Sequence, residues 1–159
     1  MLRIGHSRDI HIFAENRDLI LGGVKIPYEK GLLGHSDADA LTHALIEAII
    51  GAMGLKDIGT HFPDTDEKYK GVSSLLLLEE TKKMMRENKY RLLNADMLIM
   101  IEKPKMAPYI DEMKKNLAAC LEVEESLLNI KATRGEGVGF VGEEKGVEAD
   151  AVVLLESYE

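Results

Sequence analysis

Cysteine is almost missing from this chain: Cys120 stands alone and cannot close an internal disulfide, so a reducing cytoplasm is the expected compartment. Proline is scarce, with 4 residues beside 14 glycines, and 45% of the chain is hydrophobic, which excludes collagen-like, proline-rich and low-hydrophobicity disordered classes. Long apolar runs are also lacking. The longest, such as Met97 to Ile101 and Ala151 to Leu155, fall far short of the ~18 residues a membrane span requires, so no membrane partner is expected. Arg3, His6, Arg8, Asp9 and His11 stand where a secretory signal would be apolar, and no export peptide is expected. Cations are the minority, 20 against 28 acidic residues for a net charge of −8, which argues against nucleic acid as a partner. A phosphorylated ligand would therefore need local cations or a bound metal.

What is present fits one domain over residues 1–159, close to the ~150-residue prior, and no repeat, charge block or long linker divides it. Leu2 to Phe13 and Leu19 to Ile26 carry strand signals, the second stopped by Pro27. From Asp39, the positions Leu41, Ala44, Leu45, Ala48, Ile49 and Ala52 follow the template of an amphipathic helix that ends near Gly54. A second helix is expected from Ser73 or Ser74 to Asn88, a buried strand over Asn94 to Glu102, and a third helix from Pro108 through Leu121. Leu128 to Ala132 and Val147 to Glu156 read as closing strands. The order ββααβαββ lacks steady βα alternation and gives an α+β fold: one sheet of mixed strands with helices packed on one face. Its other face would be too apolar for water, so association of copies is expected.

Asp9 and His11 lie two apart in a predicted strand and project from the same face, while His43 sits off the core stripe of the first helix. One carboxylate and two imidazoles make a common catalytic-zinc set with a position left for substrate or water. From spacing alone, surface histidines and a strand-end aspartate are the commoner explanation. Asp39, His43 and Glu47 are successive i, i+4 neighbours, which suggests a carboxylate orienting the imidazole, although a solvated polar face explains them as well. His35, Ser36, Asp37 and Asp39 crowd the approach to that helix, where they can cap it or cradle a phosphate. Asp57 to Gly59 with Phe62 to Asp66 reads as a polar loop or a turn, and the segment from Lys131 to Gly137 as a hairpin loop or a cation site at Glu136. Cys120 and the eight methionines read as core filler.

Five ordered blocks, RIGHSRDIH from Arg3, LGGVKIPYEKGLLGHSDADALTHAL from Leu21, DIGTHFPDTD from Asp57, KPKMAPYI from Lys103 and KATRGEGVGFVG from Lys131, resemble the 2-C-methyl-D-erythritol 2,4-cyclodiphosphate synthase family over nearly the whole chain. The resemblance implies Zn2+ on Asp9, His11 and His43, and a second cation, Mg2+ or Mn2+, on Glu136 and the substrate phosphates. It places His35 and Ser36 at the substrate's 2-phosphate. Asp57, Ile58, Gly59, Phe62, Pro63, Asp64, Thr65 and Asp66 would form the methylerythritol wall. Ile101, Lys105, Met106, Ala107, Ala132, Thr133, Arg134, Glu136 and Phe140 would form the cytidine-diphosphate side, contributed across a subunit boundary of a homotrimer.

The implied reaction is attack of the 2-phosphate of 4-diphosphocytidyl-2-C-methyl-D-erythritol 2-phosphate on the β-phosphorus, expelling CMP, in a phosphorus–oxygen lyase of the non-mevalonate isoprenoid route. His35 and Arg134 are the expected catalytic groups. The chain departs from the family at Arg134, where a threonine is usual, at Glu143, where a basic residue is common and Lys145 stands close by, and at Ser7 and Arg8. A catalytically impaired homologue that binds nucleotide or isoprenoid diphosphate as a regulatory module is the alternative reading of those departures.

Overall fold

A computed structural model describes residues 1–159. The strands are β1 (Leu2–Ala14), β2 (Leu19–Leu21), β3 (Val24–Ile26), β4 (Gly31–Leu32), β5 (Tyr90–Met100), β6 (Leu128–Thr133) and β7 (Gly146–Ser157). The helices are α1 (Ala40–Ala52), α2 (Ile58–His61), α3 (Ser74–Glu87), α4 (Ile110–Leu121) and α5 (Gly139–Gly142), with short 3-10 turns between some of them. Five strands form a mixed sheet in the order β4-β1-β7-β5-β6, in which β5 and β6 run parallel and the other neighbours antiparallel. The α+β expectation holds, and α1, α3 and α4 cover one face of the sheet.

The alternation in β1 decides which side chains serve the interior. Gly5 and Ser7 are buried under α1, followed on the same face by Asp9 and His11, while Leu2, Ile4, Ile10 and Ile12 are exposed on the other. A Cβ added at Gly5 would stand 1.9 Å from the Ala48 carbonyl oxygen and 2.8 Å from Ala52 N. Only glycine lets α1 lie so close to β1, and that approach carries His43 of the helix to Asp9 and His11 of the strand. The interior of α1 is apolar and fully buried through Leu41, Leu45, Ile46, Ile49 and Ile50, packing on Val147, Ala149 and Ala151 of β7 in one continuous core.

The sequence reading lacks the short elements β4, α2 and α5, and two of its strands differ. Leu19 to Ile26 is a two-stranded hairpin with Leu21 opposite Val24, because Gly22 and Gly23, at φ +57° and +71°, supply the left-handed pair that a tight turn needs. The strand expected from Asn94 begins at Tyr90. A register shift between Leu92 and Asn94 breaks its alternation, so Leu92 and Ala95 are both buried at odd spacing and the period-two signal disappears there.

Asp39 anchors both the hairpin and α1. Its carboxylate accepts from Gly22 N at 2.9 Å, Gly23 N at 2.8 Å, Thr42 N at 3.0 Å and Thr42 Oγ1 at 2.7 Å, and it is wholly buried. It is thus the N-cap of α1 and the acceptor for the turn at once. On the opposite, solvent-facing side of the sheet, the apolar side chains surround a polar belt in which Arg8 pairs with Asp150 and Glu148, each at 3.1 Å, and His6 lies 3.3 Å from Asp150.

Candidate metal and phosphate site

β1 and α1 bring three ligand groups together. Donor atoms of Asp9, His11 and His43 all lie within 4.8 Å of one another. His11 Nε2 is 2.9 Å from Asp9 Oδ2, and His43 Nδ1 is 3.3 Å from the same oxygen. The other nitrogen of His11, Nδ1, donates to the Leu33 carbonyl oxygen at 2.7 Å, which leaves Nε2 as the inward-facing atom. Gly34 permits that ring position, since a Cβ there would meet Ala38 Cβ at 2.9 Å and His11 Cε1 at 3.1 Å. Burial opposes ionisation of Asp9, but the His11 and His43 imidazoles set against its carboxylate outweigh it and hold the carboxyl down at about 2. Burial likewise opposes a charge on His11, and the hydrogen bond and charge of Asp9 overcome it, so the imidazole's pKa is raised. Two imidazoles and one carboxylate, half-buried and with one histidine already fixed by a backbone carbonyl, fit a zinc-type ion with an open position.

These groups open into a cavity of about 360 Å³ lined also by Gly34, His35, Ser36, Ile58, Gly59, Phe62, Pro63, Asp64, Tyr69 and Leu77. His35 donates from Nε2 to the Asp66 carbonyl oxygen at 2.9 Å, which ties the Phe62 to Asp66 loop to the approach of α1 and frees Nδ1. Ser36 Oγ accepts from Ala38 N at 3.3 Å and keeps its own proton available. Asp57, Thr65 and Asp66, expected on the cavity wall, do not line it. Asp57 caps α2 through Thr60, and Asp66 caps the 3-10 turn that follows. Glu47 and Asp39 do not orient the His43 ring. Glu47 accepts from Ser7 Oγ at 2.5 Å and from Ile58 N at 3.0 Å, pinning α2 to β1, and Asp39 is consumed by the hairpin. The partners of the His43 ring are instead Ser36 and Ser74, and the sequence reading singled out Ser74 only as a helix start. Thirty-one residues separate Ser74 from His43, so no local spacing signals the contact.

A second cavity, of about 200 Å³, collects Ile101, Lys105, Met106, Ala107, Ala132, Thr133 and Arg134 together with Glu102 and Pro104. Arg134 forks Nε and Nη2 onto Glu102 Oε2, at 2.9 and 2.5 Å, and Gly135 N donates to Oε1 at 3.0 Å. That hydrogen bond from Arg134 is the main reason the Glu102 carboxyl is held below the ordinary range. Glu136 is exposed in the following loop at φ +53°, outside both cavities, and Phe140 sits in α5 with 37% of its surface exposed. Lys145 pairs with Glu143 at 2.7 Å.

An open ligand set at the mouth of a pocket that also holds an imidazole and a hydroxyl defines a metal-site class suited to anionic ligands. The chain belongs to the YgbB family, whose model matches residues 2–156. A 2-C-methyl-D-erythritol 2,4-cyclodiphosphate synthase of Geobacillus thermodenitrificans is 57% identical over 159 residues, covering 100% of this chain and 99% of the relative. The bifunctional IspDF of Campylobacter jejuni superposes with a TM-score of 0.96 at 40% identity, covering 100% of this chain and 43% of that longer one. The IspF of Plasmodium falciparum in complex with CDP gives a TM-score of 0.87 at 32% identity, covering 99% of this chain and 97% of that one.

Proposed function

We propose that this chain, as one domain over residues 1–159, converts 4-diphosphocytidyl-2-C-methyl-D-erythritol 2-phosphate to 2-C-methyl-D-erythritol 2,4-cyclodiphosphate and CMP in the cytoplasm. The observation that carries the reading is the meeting of Asp9, His11 and His43 within 4.8 Å in the same cavity as His35 and Ser36. It is supported by relatives of that name and by a structural neighbour that holds CDP. The ligand set is intact, which favours a working enzyme over a binding-only homologue.

Zinc on Asp9, His11 and His43, and magnesium or manganese at Glu136 and the substrate phosphates, would supply the charge that neutralises phosphate oxygens. The chain's own groups do the rest. His35, when it carries a proton on Nδ1 as well as on Nε2, and Ser36, through its free hydroxyl proton, hold the 2-phosphate, and Ile58, Gly59, Phe62 and Pro63 form a wall that limits water. Attacker and target belong to one molecule, so the protein need only hold the closed geometry, a proximity effect. Arg134, kept extended by Glu102, presents its remaining N–H groups to the charge that grows on the departing CMP phosphate. The second cavity takes the cytidine diphosphate, and a homotrimer in which the second cavity of one protomer faces the first of its neighbour completes the site. The exposed Leu2, Ile4, Ile10, Ile12 and Val152 would be covered by that assembly.

The test is a product assay on the metal-loaded chain that quantifies CMP and cyclic diphosphate together. Equal yields of both are expected, with loss in His11→Ala and His43→Ala. A linear hydrolysis product, or diphosphate binding without turnover, would count against the proposal.

A further inference from the structure

The two imidazoles of the ligand set are fixed by different devices. His11 is held by a backbone carbonyl. His43 faces two hydroxyls from Nε2: Ser74 Oγ at 2.8 Å and Ser36 Oγ at 3.1 Å. Ser74 is fully buried at the first position of α3, and Asp37 grips it twice, accepting from its Oγ at 2.5 Å and from its backbone N at 3.0 Å. A hydroxyl has one proton to give, and an ionised carboxylate can only accept. With that proton committed to Asp37, Ser74 Oγ can meet the imidazole only as an acceptor, so the ring carries its proton on Nε2. The lone pair then lies on Nδ1, the atom that faces Asp9 Oδ2 at 3.3 Å.

We propose that Asp37 and Ser74 are a positioning pair that locks His43 in the Nε2–H tautomer and turns its Nδ1 lone pair toward the ion shared with Asp9 and His11. The inference rests on the metal-site reading above and adds two residues that do not touch the ion. His11 and His43 are thereby held as opposite tautomers. A strand ring points Nε2 inward because Nδ1 meets its neighbouring loop carbonyl, and a helix ring points Nδ1 inward because Nε2 meets a buried serine. Helix capping alone explains less. The side chain of Ser73, the N-cap of α3, makes no capping bond, and Asp37 takes the Ser74 N–H in its stead, but that bond does not require the hydroxyl to lie between a carboxylate and an imidazole.

The test uses full-length chain labelled with 15N-histidine. Metal-stripped protein is read by long-range proton–nitrogen correlation at about pH 8, above the ordinary imidazole value of about 6.5. Zinc affinity is measured separately by competition with a chromophoric chelator. The parent is expected to show His43 as the Nε2–H tautomer and to bind zinc stoichiometrically. Ser74→Ala, which keeps the backbone cap, should mix the tautomers and weaken zinc about 10- to 100-fold. Asp37→Asn is near-isosteric; with its amide N–H₂ in place of Oδ1 it donates to Ser74 Oγ and sends the hydroxyl proton to His43, at the loss of the 3.1 Å bond that Oδ1 accepts from Asp39 N. Its spectrum should shift toward Nδ1–H, with a similar loss of affinity, and it serves where the alanine variant fails to fold. Variants that bind zinc as tightly as the parent, with His43 still on Nε2–H and only thermal stability changed, would overturn the proposal and leave a helix cap. A parent that binds no zinc would overturn the metal reading and this inference together.

Discussion

Replacing Asp39 tests whether one carboxylate couples the hairpin to the helix that carries His43. Asp39→Ala strands three backbone N–H groups, those of Gly22, Gly23 and Thr42, which are 2.8 to 3.0 Å from its oxygens. Each buried donor left without a partner costs about 1–3 kcal/mol, and partial rehydration of the turn brings the expected loss to about 4 kcal/mol. Asp39→Asn keeps the volume and one acceptor oxygen but puts an N–H₂ against a hairpin N–H, so about 2 kcal/mol should be lost. Asp39→Ser restores the Thr42 cap alone and should recover about 1 kcal/mol relative to alanine. The assay is urea unfolding at one fixed protomer concentration, because association would otherwise shift the midpoint. For a chain of this size the alanine variant should melt lower by about 8–16 °C. A loss under about 1 kcal/mol for Asp39→Ala, or equal losses for alanine and serine, would show that the four bonds are not held in solution.

The remaining predictions concern the site and its surroundings. In metal-stripped protein, Asp9, with a folded value of about 2 against an ordinary 3.8, contributes stability above pH ~4 that is lost as pH falls through about 2, an effect on the order of 2 kcal/mol. His11, raised above 6.5, contributes stability below that value which is lost as pH rises through its folded pKa, so the stability difference between parent and Asp9→Asn should peak between about pH 4 and 6.5 and shrink on both sides. A flat difference across that range in pH-dependent unfolding would contradict this. Arg134→Ala should lower kcat about 100-fold with KM little changed, and an unaltered kcat would remove Arg134 from the reaction. The Cys120 thiol, pushed up to about 11 chiefly by burial, should react with iodoacetamide near neutral pH about 100-fold more slowly than an ordinary thiol, measured by mass spectrometry of the folded chain.

Much of the fold was legible because its long elements carry a single clear period. β1 alternates through thirteen residues, and α1 repeats its apolar stripe through four turns, so both fall within a residue or two of expectation. The hairpin at Gly22 and Gly23 was not read, since three-residue strands are too short to show alternation and the paired glycines signal the turn only once both strands are placed. Tyr90 to Leu93 was missed because a bulge interrupts the period. The ligands Asp9, His11 and His43 were found, but spacing could not favour them over surface groups. Their meeting depends on Gly5 admitting α1 to the strand, which is a property of packing. The role given to Asp39 and Glu47 failed for a related reason. The i, i+4 rule places side chains on one helical face but does not say which neighbouring backbone will claim them, and here the Gly22–Gly23 turn and α2 claimed both.

The acidic residues around the site divide their work by burial and by which donors reach them first. Only the two imidazoles reach the Asp9 carboxylate, so it keeps an oxygen that an ion can take without leaving a backbone N–H unpaired. Asp39, Glu47 and Glu102 each accept from at least one main-chain N–H, and moving any of them to serve a ligand would orphan that donor at a cost of about 1–3 kcal/mol. Asp37 lies between the two groups: Oδ2 accepts from Ser74 N, and Oδ1 accepts both from Asp39 N, at 3.1 Å, and from the Ser74 hydroxyl that meets His43. It can therefore influence the ion only through a proton it does not own. This is why a change in its hydrogen-bonding character, with volume held constant, separates its effect on the imidazole from its effect on the helix.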